Sequence, residues 1–212
     1  MTLTVCWSAK GGSGTTVVAA ALALNAASHS LLIDLDGELP AALGLPEPSG
    51  QGLSDWFASE APERSVLDLA VDVSRSTRLV PRGPSAIAKD AERWSALRAY
   101  LATSPLDVVV DAGCGAPPAA LLGEHVRGLL VTRACYLALL RASRLPRPDG
   151  IVLVAEHARS LTTADVIRSI GAPVVATVPI DPAIARAVDA GLLAARLPGS
   201  MLKSLEALRV AA

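Results

Sequence analysis

The chain has few aromatic residues: phenylalanine, tryptophan and tyrosine make up 3% of 212 positions. Trp7, Trp56, Phe57, Trp94, Tyr100 and Tyr136 must serve its whole length. This argues against a nucleic-acid surface of stacked bases, which needs a platform of rings. Long apolar runs are missing too. Hydrophobic residues reach 51% and mean hydropathy is +0.44. Yet the longest obvious run, Val17 to Leu24, stops at Asn25, and a membrane-spanning helix needs about 20 such residues. The apolar excess is alanine, valine and leucine spread along the chain, which predicts a sizeable buried core. Charge of one sign is absent, with 19 basic against 20 acidic residues. No general attraction to a polyanion follows. Three cysteines, Cys6, Cys114 and Cys135, show no CxxC or metal-ligand spacing and read as buried free thiols in a reducing cytosol. No basic segment of a signal peptide opens the sequence, so a cytoplasmic location is expected. His29, His125 and His157 lie far apart and suggest neither a triad nor a metal site.

What is present is a regular alternation. Thr2–Ser8, Leu31–Leu35, Leu79–Val80, Val108–Asp111, Gly128–Thr132, Ile151–Ala155 and Val174–Val178 read as short strands. Thr16–Ala27, Asp90–Thr103, Ala134–Ala142, Thr162–Ile170 and Pro182–Ala190 read as helices. Continuous apolar strands alternating with helices predict an α/β fold: a mostly parallel, doubly wound sheet with helices on both faces. No repeat or long linker divides it, so residues 1–212 are expected to form one domain. Gly44–Ser65 reads as the loosest stretch, a surface excursion.

In such folds the ligand lies beyond the carboxyl ends of the strands. Three segments follow strands there: Ser8–Thr16, Asp34–Glu38 and Asp111–Gly115. The first holds Lys10-Gly11-Gly12-Ser13-Gly14-Thr15-Thr16. A glycine-rich strand-to-helix turn lets backbone N–H groups converge where the helix dipole is positive, and phosphate suits that position. A tight structural turn is the plainer alternative. A dinucleotide-binding fingerprint is another, with Gly12-x-Gly14 and Asp34 about 20 residues on. There Val17 would hinder helix–strand packing, and Lys10 has no role. The phosphate loop of nucleotide triphosphatases fits better, except that Thr15 stands where its lysine normally touches the β and γ phosphates. Singly, Asp34, Asp36 and Asp111 read equally well as strand-end solubilisers or helix caps. Ser13 has no identifiable base and is not read as a nucleophile.

The loop resembles the deviant Walker A motif of the MinD/ParA family, Lys-Gly-Gly-x-Gly-Lys-[Ser/Thr], through Lys10-Gly11-Gly12. Leu31-Leu32-Ile33-Asp34-Leu35-Asp36 resembles that family's switch I. Val108-Val109-Val110-Asp111-Ala112-Gly113 resembles its Walker B and switch II segment. Val178-Pro179-Ile180-Asp181 resembles its loop near the adenine. The resemblance implies ATP and Mg²⁺ as ligands. Gly11, Gly12, Ser13, Gly14 and Thr15 would cradle phosphate, with Pro179 and Asp181 near the base. Thr16, Asp36 and Asp111 would serve the metal. Asp36 would orient the attacking water, with Asp34 as second choice, and Lys10 would reach phosphate from its own chain or across a homodimer. The Gly-Thr-Thr ending is similar to the CpaE/TadZ branch, linked to pilus assembly and polar localisation. A small stand-alone MinD-like protein is equally compatible.

Losing the loop lysine forfeits a charge-assisted bond of about 1.5–3 kcal/mol, so hydrolysis is expected to suffer more than binding. The protein partner is unidentified. Arg133, Arg141, Arg144 and Arg147, like Arg75, Arg78 and Arg82, read as solvated surface in preference to a DNA-binding patch. Met201–Val210, with Leu202, Leu205 and Leu208 on one side, reads as a packing helix in preference to a peripheral membrane anchor.

Overall fold

The computed structural model describes residues 3–208. In chain order the first half holds β1 (Leu3–Ser8), α1 (Thr15–Leu24), β2 (Ser30–Asp34), α2 (Leu39–Leu43), α3 (Leu53–Phe57), β3 (Val71–Asp72), β4 (Thr77–Val80) and α4 (Ala91–Ala102). The second half holds β5 (Asp107–Cys114), β6 (Val126–Arg133), α5 (Tyr136–Ala142), β7 (Gly150–Ala155), α6 (Thr163–Ile170), β8 (Val174–Pro179), α7 (Pro182–Asp189) and α8 (Gly199–Leu205). The strands form one sheet in the order β3-β4-β2-β5-β1-β6-β7-β8. All neighbours pair parallel except β3 with β4.

Side-chain alternation builds a core on each face. From β1, Cys6 joins one core while Leu3, Val5 and Trp7 join the other. From β2, Leu32 goes one way, and Leu31 and Ile33 the other. β5 repeats this with Val109 against Val108 and Val110. Such strands are apolar throughout because both faces are covered. The first face packs the Ala-rich α1 and α8; the second packs α3 and α4. A smaller cluster of Leu139, Ile151, Leu153, Val166 and Ala172 joins β7 to α5 and α6.

The expected excursion at Gly44–Ser65 is corrected. It contains α3, whose Leu53, Trp56 and Phe57 are buried. Phe57 packs between Trp56 and Trp94, with centroid separations of 4.9 Å and 4.4 Å. The Arg93 guanidinium lies 3.9 Å from the centroid of the Trp56 ring. The scarce aromatics are therefore concentrated in one core. α3 has only five residues, too few to display a helical period. α2, equally short, and the two-residue β3 escape the sequence pattern for the same reason.

α1 ends at Leu24, three residues short of the expected Ala27. Ser30 Oγ donates to the Ala23 carbonyl at 2.8 Å, satisfying a terminal acceptor as the chain turns into β2. At the other end of the chain, Met201 and Leu205 of α8 and Leu208 of the following 3₁₀ turn are buried. Leu202, expected on that apolar side, is 37% exposed. Arg209 and Val210 lie outside the described residues. Among the described residues no helix is long and apolar enough to cross a membrane.

Candidate functional site

The carboxyl end of β1, flanked by β5 and β6, opens the site. From Ser8 the chain turns through the glycines into α1. Gly12 and Gly14 have φ of +73° and +93°, a left-handed conformation that glycine adopts without strain. A Cβ at Gly11 or Gly12 would meet no protein atom within 4 Å, so the space over the loop is open. Ser13 Oγ donates to the Lys10 carbonyl at 2.7 Å. Ser8 Oγ bridges the Lys10 and Gly113 carbonyls at 3.3 and 3.4 Å. These hydroxyls hold the loop's shape, which gives the buried Ser13 a structural task.

α1 has no side-chain cap and no acid in its first turn. Its first-turn N–H groups, at Thr15, Thr16 and Val17, have no acceptor among the described residues. They border a cleft of about 560 Å³ lined by Gly11 through Val17, Asp36, Glu38, Gly113 and Cys114, among others. Orphan donors at a dipole's positive end favour an anion there.

The two acid loops meet this cleft differently. Asp34 is fully buried and clasps its own loop. Its Oδ1 accepts from the Asp36 and Gly37 N–H groups at 3.1 and 2.7 Å, and its Oδ2 from Leu39 at 3.2 Å. That clasp turns the exposed Asp36 toward the cleft. Asp36 lies so close to Gly113, at φ +66°, that a Cβ there would strike its carboxyl group. Arg82 Nη1 donates to the Asp36 carbonyl at 3.1 Å from the opposite side.

Asp111 is paired in register with Asp34 on the neighbouring strand and is likewise fully buried. Its Oδ1 accepts from the Gly113 N–H at 3.1 Å. Its Oδ2 is buried without a hydrogen-bond partner of good geometry, although the nearby Thr16 hydroxyl eases its ionisation. Burial pushes its pKa up to about 6, and the charges of Asp34 and Asp36 push the same way. Burial also raises the pKa of Asp34, against the pull of its three backbone hydrogen bonds. A buried carboxylate with one oxygen short of a well-formed hydrogen bond invites a cation. Among the described residues no group of three or more His, Cys, Asp or Glu is arranged to hold a metal. The donors instead suit Mg²⁺, which is usually held by one or two carboxylates together with phosphate oxygens. The glycine cradle, the orphan donors and this carboxylate thus fit a magnesium-bound nucleotide.

A second pocket, of about 230 Å³, shares Ser13, Gly14, Val17 and Val188 with the cleft. Val154, Val178, Pro179, Ile180, Ile184 and Met201 make it largely apolar, as a flat base requires. Asp181 borders it but is already engaged. Its Oδ1 caps α7 through the Ala183 N–H at 2.8 Å, and its Oδ2 accepts from Ser200 Oγ at 2.6 Å. The Ser200 hydroxyl, then the Ala183 N–H, holds its carboxyl below the usual range. Lys10 lies outside both pocket linings, its Nζ donating to the Gly11 carbonyl at 3.4 Å.

The structure brings Gly11 to Thr16, Asp36 and Pro179 around two joined spaces, keeps Asp111 buried and outside both linings, and turns Asp34 into the scaffold of its own loop. Sequence reasoning missed Arg133, which it read as solvated surface. Arg133 lines the second pocket and pairs with Glu156 at 2.8 Å. Cys114 was missed as well: it is exposed and lines the first cleft, and Cys135 is half-buried, against the expectation of three buried thiols. Only Cys6 is buried, and burial pushes its thiol pKa well up. Cys114 had a legible signal, its place three residues after Asp111; Arg133 closes β6 and had none.

Neither a protein-family model nor a curated protein sequence matches the chain. Solved structures do. A ParA family ATPase from Chlorobium tepidum superposes with a TM-score of 0.75 and 24% identity, covering 98% of each chain. The septum site-determining protein MinD from Pyrococcus horikoshii, complexed with Mg-ADP, gives 0.76 and 19%, covering 98% of this chain and 94% of that one. McdA from Cyanothece, in an ATP complex, gives 0.65 and 17%, covering 98% and 96%. The chain has the fold of the MinD/ParA-type P-loop ATPases.

Proposed function

We propose that the chain binds Mg-ATP in the joined spaces, dimerises face to face on it, and acts as a switch that positions a protein partner. The observation that carries this reading is Oδ2 of Asp111, buried without a hydrogen bond of good geometry beside Thr16 of the first turn of α1. A buried charge needs a counter-charge, and magnesium on a phosphate would supply it. The neighbours' bound Mg-ADP and ATP support the choice of ligand.

The roles follow from placement. Backbone N–H groups of Gly11 to Thr16 receive phosphate oxygens, with Gly12 and Gly14 giving the loop its turn. Thr16 and Asp111 hold the metal, with Asp36 facing the same cleft to orient water. Pro179 forms a wall for the base. Asp181 holds α7 and α8 beside it. Lys10, outside its own cleft, is free to reach the phosphates of a second copy. Magnesium, when bound, screens phosphate charge and links the loop to Asp111. Catalysis of hydrolysis is weak or slow, because Thr15 offers no cation where the loop lysine would stabilise developing charge.

One observation favours a second reading. Thr15 is 6% exposed and lines the phosphate cleft, so no other side chain replaces the missing lysine from that position. This supports a scaffold of the CpaE/TadZ type that binds nucleotide without turnover. A dinucleotide-binding enzyme is the least supported reading, since Asp34 is spent on its own loop and not free to take a ribose. Melting temperature and solution mass with Mg-ATP test the proposal. A higher melting temperature and a dimer are expected. No response at saturating Mg-ATP, or a response to NAD alone, overturns it.

A further inference from the structure

The α5 helix presents an outer face that the nucleotide site does not use. At 100° per residue, Tyr136, Leu140, Leu137 and Arg141 fall within one arc of about 140°, and Arg144 follows in the turn after the helix ends at Ala142. Ala138, Leu139 and Ala142 occupy the opposite side and are buried. The outer apolar side chains are well exposed: Tyr136 at 75%, Leu137 at 41% and Leu140 at 40%. Three large apolar side chains on two turns of one helix form a contiguous patch and not scattered surface residues. Arg141 and Arg144 are exposed at the end of this helix, and Arg147, also exposed, lies over Gly171 after α6; none of the three makes an ion pair among the described residues. From Ala134 to Pro148 the sequence contains no acid.

We infer that this face docks on an anionic lipid bilayer, with Tyr136, Leu137 and Leu140 entering the interface and Arg141, Arg144 and Arg147 meeting the headgroups. Charge complementarity and chemistry select that occupant. A membrane interface takes apolar side chains, an aromatic ring and arginines together. A DNA backbone would meet the arginines but bury two leucines against phosphate without gain. A second copy pairing through the same patch would bring together two arginine-bearing faces with no acid between Ala134 and Pro148 to offset them. Among the described residues helix α8 offers a smaller face: its Met201 and Leu205 are buried against the sheet, and Leu202 alone is an exposed large apolar residue on it. The inference rests on the exposure of α5 in the ligand-free chain and not on the nucleotide reading.

The test is co-sedimentation of the full chain, without nucleotide, with vesicles of phosphatidylcholine alone and with an equimolar phosphatidylglycerol mixture. Binding to the anionic vesicles is expected, weakening with added salt, and little to the neutral ones. L137S/L140S and R141Q/R144Q should each lower the partition coefficient by roughly tenfold or more. All four positions are exposed, so both variants should keep the wild-type circular dichroism and melting temperature. Equal sedimentation with neutral and anionic vesicles, or unchanged binding by either folded variant, overturns the inference. So does a wild-type chain that ignores both vesicles while binding duplex DNA, or one whose mass falls when the leucines are replaced.

Discussion

Asp111 and Thr15 decide most of what this site does. Asp111 is raised to about 6, so the folded chain holds its proton more tightly than the unfolded chain. For a raised carboxyl the stabilising contribution is complete at low pH and is lost as pH rises through the folded value. Stability should therefore fall between about pH 4 and pH 7, and Asp34 pushes the same way. D111N removes the charge while keeping the shape. Urea melts across that range should show it matching the wild type at the acidic end. Near neutrality it should gain up to about 3 kcal/mol, and it should lose the response to Mg-ATP. A parallel pH profile for the two proteins would deny that Asp111 is the strained group. At Thr15 the prediction concerns rate. T15K returns a cation to the phosphate cleft, and phosphate release under saturating Mg-ATP should rise by about tenfold or more. An unchanged rate would place the defect elsewhere in the site.

The loop after β2 works as an element, because one carboxylate organises it. Asp34 accepts three backbone N–H groups, so D34A strands donors that are shielded from water. A loss of about 1–3 kcal/mol is expected in denaturant melts, and D34N, which keeps an acceptor, should lose less. The loop after β5 depends on Gly113. G113A forces a side chain into positive φ and into Asp36. It should lower the melting temperature and displace Asp36 from the cleft, weakening turnover more than nucleotide affinity. Legibility in the sequence followed the length and regularity of each element. β1, β2 and β5 are continuous apolar runs; the segments after β1 and β2 carry Gly11 to Thr16 and Asp36, and β5 itself carries Asp111, so the position of the first cleft was readable. α2, α3 and β3 are too short to carry a period. Trp56 and Phe57, read as part of a loose surface stretch, are held in the core by long-range contacts with Trp94 and Arg93. The base pocket was only half readable. Pro179 ends β8 and Asp181 follows two residues on, but the engagement of the second Asp181 oxygen depends on Ser200, far along the chain, which no local pattern announces.

At the scale of the molecule, the parallel sheet gathers β1, β2 and β5 so that their following loops share one edge. That edge is where a second copy would close over the nucleotide. Lys10 belongs to this scale because, among the described residues, its amine hydrogen-bonds only the neighbouring Gly11 carbonyl. K10A should leave the melting temperature of the ligand-free protein unchanged. Light scattering should show it losing the Mg-ATP-dependent dimer; a persisting dimer would remove Lys10 from the partner's site. The central claim is that the glycine loop and Asp111 together bind a magnesium-bound nucleotide. Titration calorimetry of the wild-type chain with ATP, with and without Mg²⁺, tests it most directly. The account predicts saturable one-site binding that depends on Mg²⁺ and disappears in D111N. Binding of equal strength without the metal, or retained in D111N, would contradict it.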